Sequence, residues 1–410
     1  MPFHSRHAVV TAVFPGVVTS RGWHYRQTVL ALCTFALFAT MVARLAISPL
    51  VPAITATYGV SNALVGLALT GMWLTYGLAQ YPSGVFADRY GERPVILVAL
   101  AGTALGSLLI VTAPVFFVFA IATVILGALA GLHFSVATTL LTRTYDDVGR
   151  AIGIHTLGST FGGLLAPIAA TWIGVRYGWR TGVAIGLVVA IPAFALFFRY
   201  VEPTPPRRPD LEIRNQFRLE PLLTVLSRPS VTFTVVISVL LSFSWQALAS
   251  FLPTFLVSYH EYSDGLAAIA FSGFFVVQGL TQVKIGQFSD QYGRDPVIAG
   301  CLVLAITGLL ALVIPTASAF VVIGVVLVGV GLGAYTAAMA RFMDLFSSED
   351  RGAGFGLTQT VVMGLAAAGS VVTGTVADLA GWAASIAVLV TLLAIGLVLL
   401  FGNWALRTGY

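Results

Sequence analysis

The sequence predicts an all-α membrane protein of twelve transmembrane helices in two pseudo-symmetric six-helix bundles, and three observations carry the prediction. Of the 410 residues, 58% are hydrophobic and only 9% are charged, where a soluble domain carries about 25% charged residues. The apolar residues come in long runs, such as Val95 to Phe119 and Ala319 to Ala340, of the ~20 residues that a bilayer core requires. Features of the first half then return in the second. A large soluble helical protein is disfavoured by the number of charge-free runs. A membrane barrel is disfavoured because its strands would alternate polar and apolar residues over shorter segments.

Taken in order, the first six spans are expected at residues 27–55, 63–87, 94–112, 115–142, 149–175 and 180–199. The second six are expected at 230–259, 265–289, 296–314, 317–343, 351–378 and 381–405. The organisation that follows is an N-terminal tail over 1–26, a bundle over 27–199, a linker over 200–229, a second bundle over 230–405 and a tail over 406–410. The apolar stretch Ala8 to Val18 is too short to span and contains Pro15 and Gly16; a cleaved signal is its alternative reading. The linker, rich in Pro and Arg, reads as polar with a short surface helix. Forty-two glycines fit close helix packing in lipid.

The arginines assign the sides. Arg21 and Arg26, Arg89 and Arg93, Arg143 and Arg150, the linker arginines, Arg294, Arg351 and Arg407 all fall in alternate loops or tails of one set. The other set is nearly empty, apart from Arg176 and Arg180. The positive-inside rule then places both termini in the cytoplasm of a multi-pass cell-membrane protein.

The repeat is explicit. Gly84-Val-Phe-Ala-Asp88-Arg89-Tyr90-Gly91 returns as Gly286-Gln-Phe-Ser-Asp290-Gln291-Tyr292-Gly293. Arg150 to Gly153 returns as Arg351 to Gly354, and Pro52 as Pro253. All three lie at a displacement of about 200 residues, which implies two parallel halves.

The segment Gly84 to Arg93 resembles the loop signature of the major facilitator superfamily, G-x-x-x-D-R-x-G-x-R, and its second copy, Gly286 to Arg294, follows the eighth span. The resemblance covers about residues 27 to 405 and implies that family's fold and a secondary transporter working by alternating access. It also implies a gating clasp, in which Asp88 caps the start of helix eleven near Arg351 and, by the repeat, Asp290 caps helix five near Arg150. A carboxylate at a helix N-terminus meets free N–H groups and a partial positive charge. Gly84 and Gly91 are expected to allow tight packing and a sharp turn. The bland alternative is that these residues fix only topology and the turn. A helix-five pattern of exchangers in the same family is degenerate here, with Gly158, Gly162, Ala166, Pro167, Ala170 and Thr171. It reads as tight packing with a proline kink.

Arg44 lies about 25 Å along the first span, where an arginine facing lipid costs about 2.5–3.5 kcal/mol on insertion scales. It is therefore expected to face a central cavity and bind an anionic group through its planar fork. The segment Arg44 to Pro52 resembles the first helix of family members that carry organic anions, although Ala43 stands where those symporters often have an acid, and Thr123 where many relatives have an arginine. The alternative is a structural arginine held by a carbonyl or a helix C-terminus. Further substrate-binding candidates are Trp73, Tyr76 and Gln80 on one face of helix two, Trp245 and Gln246 at the repeat position of Arg44, Gln278 and Gln282, Tyr335 and Gln359. Each of these could instead serve interhelical packing.

His133 and His155 sit in helices joined by a short turn and form a candidate proton relay, the alternative being packing hydrogen bonds. The single lysine, Lys284, is expected to snorkel to the cytoplasmic surface or to touch substrate. Proton or sodium is the expected coupling ion, and the protein is expected to act as a monomer. No phosphate-binding loop, metal spacing, cofactor motif or catalytic constellation is present in the sequence. These absences speak against a pump or an enzyme. The net charge of +5 is spread over short loops without an aromatic-interleaved patch, which argues against nucleic acid. Export of apolar or drug-like compounds and a transporter-like membrane sensor are the competing readings.

Overall fold

The computed structural model describes residues 24–213, 226–314, 318–346 and 351–406, with side chains left aside at 351–355. Residues 1–23 of the tail, Arg214 and Arg218 of the linker, Arg407 and the side chain of Arg351 lie outside the described residues.

Among the described residues, twelve helices are long and apolar enough to cross a membrane. They are α1 (Tyr25–Tyr58), α2 (Asn62–Tyr90), α3 (Glu92–Thr112), α4 (Phe116–Thr144), α5 (Val148–Tyr177) and α6 (Trp179–Tyr200). The second six are α7 (Pro229–His260), α8 (Asp264–Tyr292), α9 (Arg294–Leu312), α10 (Ser318–Leu345), α11 (Gly356–Ala380, its helix starting at Arg351) and α12 (Trp382–Leu406). With twelve crossings, Tyr25 and Leu406 fall on one face, called the near face below; the opposite side is the far face.

Several spans are broken, and the breaks repeat between halves. Helix α4 is interrupted at Gly131–Leu132 and α10 at Leu332–Gly333. Helix α5 carries Pro167 internally, and α11 breaks at Ala367. Two breaks have no counterpart: α6 is interrupted at Ala184 while α12 is continuous, and α1 passes through a 3₁₀ turn at Ser48–Leu50 while α7 runs on unbroken. Pro49 explains the difference between α1 and α7. It adds a second missing N–H close to Pro52, whereas α7 has Pro253 alone and Ser250 in the equivalent place.

Small residues set the packing between helices. Gly158 lies against Phe38 and Leu37 of α1, and Gly162 against Met41, so that a Cβ on either would come within 3.3 Å. This matches the small-residue reading of α5. Between the halves α2 packs along α11 and α5 along α8. Gly66 abuts the Ser370 backbone, and Gly163 and Gly279 receive Phe275 and Thr160 across the second seam. Where α11 breaks, the Thr70 hydroxyl donates to the Ala367 carbonyl (2.9 Å) and accepts from the Val371 N–H (3.0 Å). The orphaned backbone groups of the break are thereby satisfied. At the far face the Asp378 carboxylate accepts from the Ala63 N–H (2.7 Å) and the Asn62 side chain (2.8 Å), closing the start of α2 onto the end of α11.

At the centre α1 and α7 meet where the Ser48 hydroxyl donates to the Ser250 carbonyl (2.8 Å). The Ser250 hydroxyl bonds to Ser370 (2.7 Å) and accepts from the Trp73 indole (3.4 Å). Four helices are thus tied at one level, on the far-face side of Arg44.

Candidate functional site

Below that tie lies a cavity of about 250 Å³. It is lined by eight of the ten expected binding residues: Arg44, Trp73, Tyr76, Trp245, Gln246, Gln278, Gln282 and Tyr335. Gln80 is one turn nearer the near face and does not line it. Gln359 stands behind the wall, accepting from the Tyr335 hydroxyl (2.9 Å), so it positions Tyr335 and does not contact the space. Met41, Ser242, Thr336 and Met363 also line it, with Leu241, Leu332 and Gly333, and were missed by sequence reading, because such residues are common in every apolar span.

Arg44 is the cation of the site. It ends the first straight segment of α1, just before the proline-driven turn, and only 2% of it is exposed. Its Nε donates to the Thr40 carbonyl (3.1 Å) and its Nη2 reaches the Met41 sulfur (3.7 Å). The guanidinium carbon lies 3.9 Å from the centroid of Tyr76 and 5.2 Å from that of Trp73. Among the described residues no carboxylate lies within ion-pair distance. One donor of Arg44 is spent on the backbone, and the residue lines the cavity.

The rest of the wall is aromatic and amide. Trp73 and Trp245 stack edge to face at 5.5 Å, one from each half, and the Trp245 indole donates to Gln278 Oε1 (3.1 Å). Gln246 is 1% exposed and its Oε1 has no hydrogen-bond partner. A buried amide oxygen without a donor costs about 1–3 kcal/mol, so a ligand N–H or O–H there would be favoured.

The signature loops behave differently from their expected clasp. Gly91 and Gly293 do hold left-handed φ of 89° and 92° at the sharp turns. Gly84, however, faces open space: a Cβ there would meet nothing within 4 Å, so tight packing is not its reason. In the first copy, Arg89 donates to the Leu211 carbonyl (2.8 Å), Arg93 to the Phe198 carbonyl (2.7 Å), and the Asp88 carbonyl accepts from the Arg208 N–H (2.8 Å). This copy holds down the chain leaving α6. In the second copy, Asp290 pairs with Arg294, which also binds Asp344 (2.9 Å). Helix α5 is capped by Asp147, which accepts from the Arg150 N–H (3.3 Å), so Asp290 does not cap it in this structure. The local carboxylate wins because it is three residues away and needs no second helix to approach. Gly286 lies at ordinary distance from Thr336, and Arg150 lines a near-face cavity. Lys284 is exposed in a groove with Phe288, Tyr292 and Cys301, apart from the central cavity.

Sequence reading missed Glu92, which is 1% exposed and paired with Arg143 (2.7 Å) and Arg207 (3.8 Å). Its repeat counterpart is Arg294, paired with Asp344, so the two halves carry the same bridge with charges exchanged.

Comparison with known proteins follows the same lines. The family model described as Major Facilitator Superfamily matches residues 33–271 and 259–407. An uncharacterized MFS-type transporter, YhcA of Bacillus subtilis, is 30% identical over 173 residues, 41% of this chain and 32% of that protein. The membrane sensor protein UhpC of Escherichia coli is 31% identical over 144 residues, 34% of this chain and 33% of that protein. The chain thus spans about a third of the length of these curated relatives. A crystal structure of a bacterial homologue of the human lysosomal transporter Spinster, inward-facing and unoccupied, shares the fold at a TM-score of 0.76 and 16% identity. The match covers 93% of this chain and 97% of that one.

Proposed function

The chain belongs to the major facilitator superfamily, and from that premise we propose that it is a secondary transporter moving a small organic anion across the cell membrane by alternating access. Membership makes it a membrane transport protein and not an enzyme.

The observation that carries the substrate class is Arg44, buried on the wall of an aromatic cavity without a carboxylate partner among the described residues. A buried unpaired charge costs several kcal/mol. Stacking on Tyr76 returns about 2 kcal/mol when desolvated, and the carbonyl bond about 1.5–3 kcal/mol. A bound carboxylate, sulfonate or phosphate would supply the remaining compensation through the guanidinium fork. The cavity of about 250 Å³ admits only a small ligand, since drug-sized pockets begin near ~300 Å³. Trp73, Tyr76, Trp245 and Tyr335 favour a planar or apolar body behind the charge, and Gln246 Oε1 a donor on it.

In this reading the protein acts as a monomer with both termini in the cytoplasm, and the halves rock about the Ser48–Ser250 tie. The signature loops bearing Asp88 and Asp290 gate the near face in the alternate state. Proton or sodium drives the cycle.

The test is a thermal-stabilisation screen of purified protein against carboxylates, sulfonates, phosphates, sugars and amines, repeated with Arg44→Ala. Stabilisation by anions that disappears in the variant supports the reading; stabilisation by amines or sugars alone sinks it. The name of the UhpC relative raises a second reading, a sensor that binds without moving its ligand. Flux of the stabilising anion into liposomes separates the two.

A further inference from the structure

Resting on the transport reading, we propose that His133 and His155 form a proton-binding pair that couples the cycle to the proton gradient. They stand on α4 and α5 with ring centroids 5.6 Å apart, and both are fully buried. None of the four ring nitrogens has a side-chain hydrogen-bond partner, and the Cys33 backbone stands near both rings. A histidine kept for packing engages at least one nitrogen at full hydrogen-bond geometry, because each unmet polar group costs about 1–3 kcal/mol. Two adjacent imidazoles whose nitrogens no side chain engages form a site that one proton completes. It protonates a nitrogen of one ring, and the other ring, still neutral, can accept the N–H. A second proton is opposed by the first charge.

The surroundings supply both ends of a route. On the near face, a cavity of about 570 Å³ is lined by His24, Asp146, Asp147 and Arg150, and also by Ala151. Ala151 lies one helical turn from His155 on the same face of α5. Toward the central cavity, His133 opens the second segment of α4, directly after the break at Gly131–Leu132. Gly131 packs on the backbone of Tyr76, where a Cβ would come within 2.9 Å of the Tyr76 Cα. The Tyr76 ring is the one that carries Arg44. A charge on the histidine pair is therefore linked by two packing contacts to the substrate arginine. Like charge on the pair and on Arg44 would favour an anion between the halves, which is proton–anion symport.

The other titratable or charged groups on the helices packed around the pair have partners or face elsewhere. From α1 these are Cys33, fully buried, whose backbone faces the pair, and Arg44. From α2 it is Tyr76, and from α3 Glu92, which is paired with Arg143 of α4. From α8 it is Lys284, which lies in its own groove with Cys301. No carboxylate pairs with either histidine among the described residues.

The test needs no substrate. Full-length protein is reconstituted densely in liposomes on a solid-supported membrane and stepped from about pH 8 to about pH 5, the range over which imidazole titrates. Potassium chloride is the only salt. A transient charge-displacement current is expected from the wild type, with loss of that current in the His133→Gln, His155→Gln double variant. Absence of current in the wild type, or its persistence in the double variant, overturns the proposal. Since the double variant could misfold, the nitrogen-labelled imidazoles of the wild type are also followed by magnetic resonance through the same range. If every imidazole attributable to the buried pair stays neutral throughout, the proposal fails; protonation of one of them supports it. Neither readout uses an organic anion, so failure here is distinct from failure of the Arg44→Ala screen.

Discussion

Arg44 holds its guanidinium carbon over Tyr76, 3.9 Å from the ring centroid. The contact holds the cation without neutralising it. Replacing Arg44 by Lys keeps the charge but removes the planar fork. The anion affinity of Arg44→Lys should fall about tenfold or more, in line with the ~1.5–3 kcal/mol of a charge-assisted bond. Tyr76→Phe should stay within a few-fold of wild type because it keeps the ring face. Titrations by thermal shift check both, and a Lys variant of unchanged affinity would remove the fork from the argument.

The charge-exchanged bridges Glu92–Arg143 and Arg294–Asp344 give a stability prediction. Glu92 is buried and Arg143 partly exposed, so Glu92→Gln should cost about 3 kcal/mol. The double exchange Glu92→Arg, Arg143→Glu should be less damaging than Glu92→Arg alone, since the second half already tolerates that polarity. Melting temperatures in detergent decide this. Equal loss in the single and the double variant would mean that the site is shaped for glutamate alone.

Gly66 has no room for a side chain: a Cβ would sit 2.6 Å from the Ser370 carbonyl oxygen. Gly66→Val should pry α2 from α11 at the far face and raise the thiol-labelling rate of a cysteine introduced at Ser370. Both native cysteines are buried, which keeps the background low. An unchanged rate would show that the seam yields elsewhere.

Asp378 acts on the same seam by charge. Asp378→Ala removes an acceptor for the first N–H groups of α2, a loss of about 0.5–2 kcal/mol by analogy with helix caps. The expected result is a greater far-face-open population, read as a longer label-to-label distance between α2 and α11. An unaltered distance distribution would leave Asp378 a local cap only.

Much of the site was legible because helical spacing and the internal repeat work together. Trp73 and Tyr76 fall on one face by position alone, and the repeat points from Arg44 to Trp245 and Gln246 in the second half. Depth along a span was the weaker guide. Gln80 shares the face but stands a turn too low, and Gln359 is withdrawn behind Tyr335. The breaks in α4 and α10 were invisible, since a Gly–Leu pair inside an apolar run looks like any other packing contact. The Thr70 hydroxyl set into the break of α11 was equally hidden, because its partners are backbone atoms. The repeat points to Asp290 for the start of α5, whereas the acceptor there is the local Asp147, which no repeat marks.

The tie between Ser48 and Ser250 separates two duties that a single residue usually mixes. Its acceptor is a main-chain oxygen, so the axle at which α1 meets α7 is indifferent to the side chain carried at position 250. That side chain is instead engaged outward, with Ser370 and Trp73. Substitution at 250 can therefore retune how firmly the outer door latches while the axle stays seated, whereas any change at Ser48 loosens the axle itself.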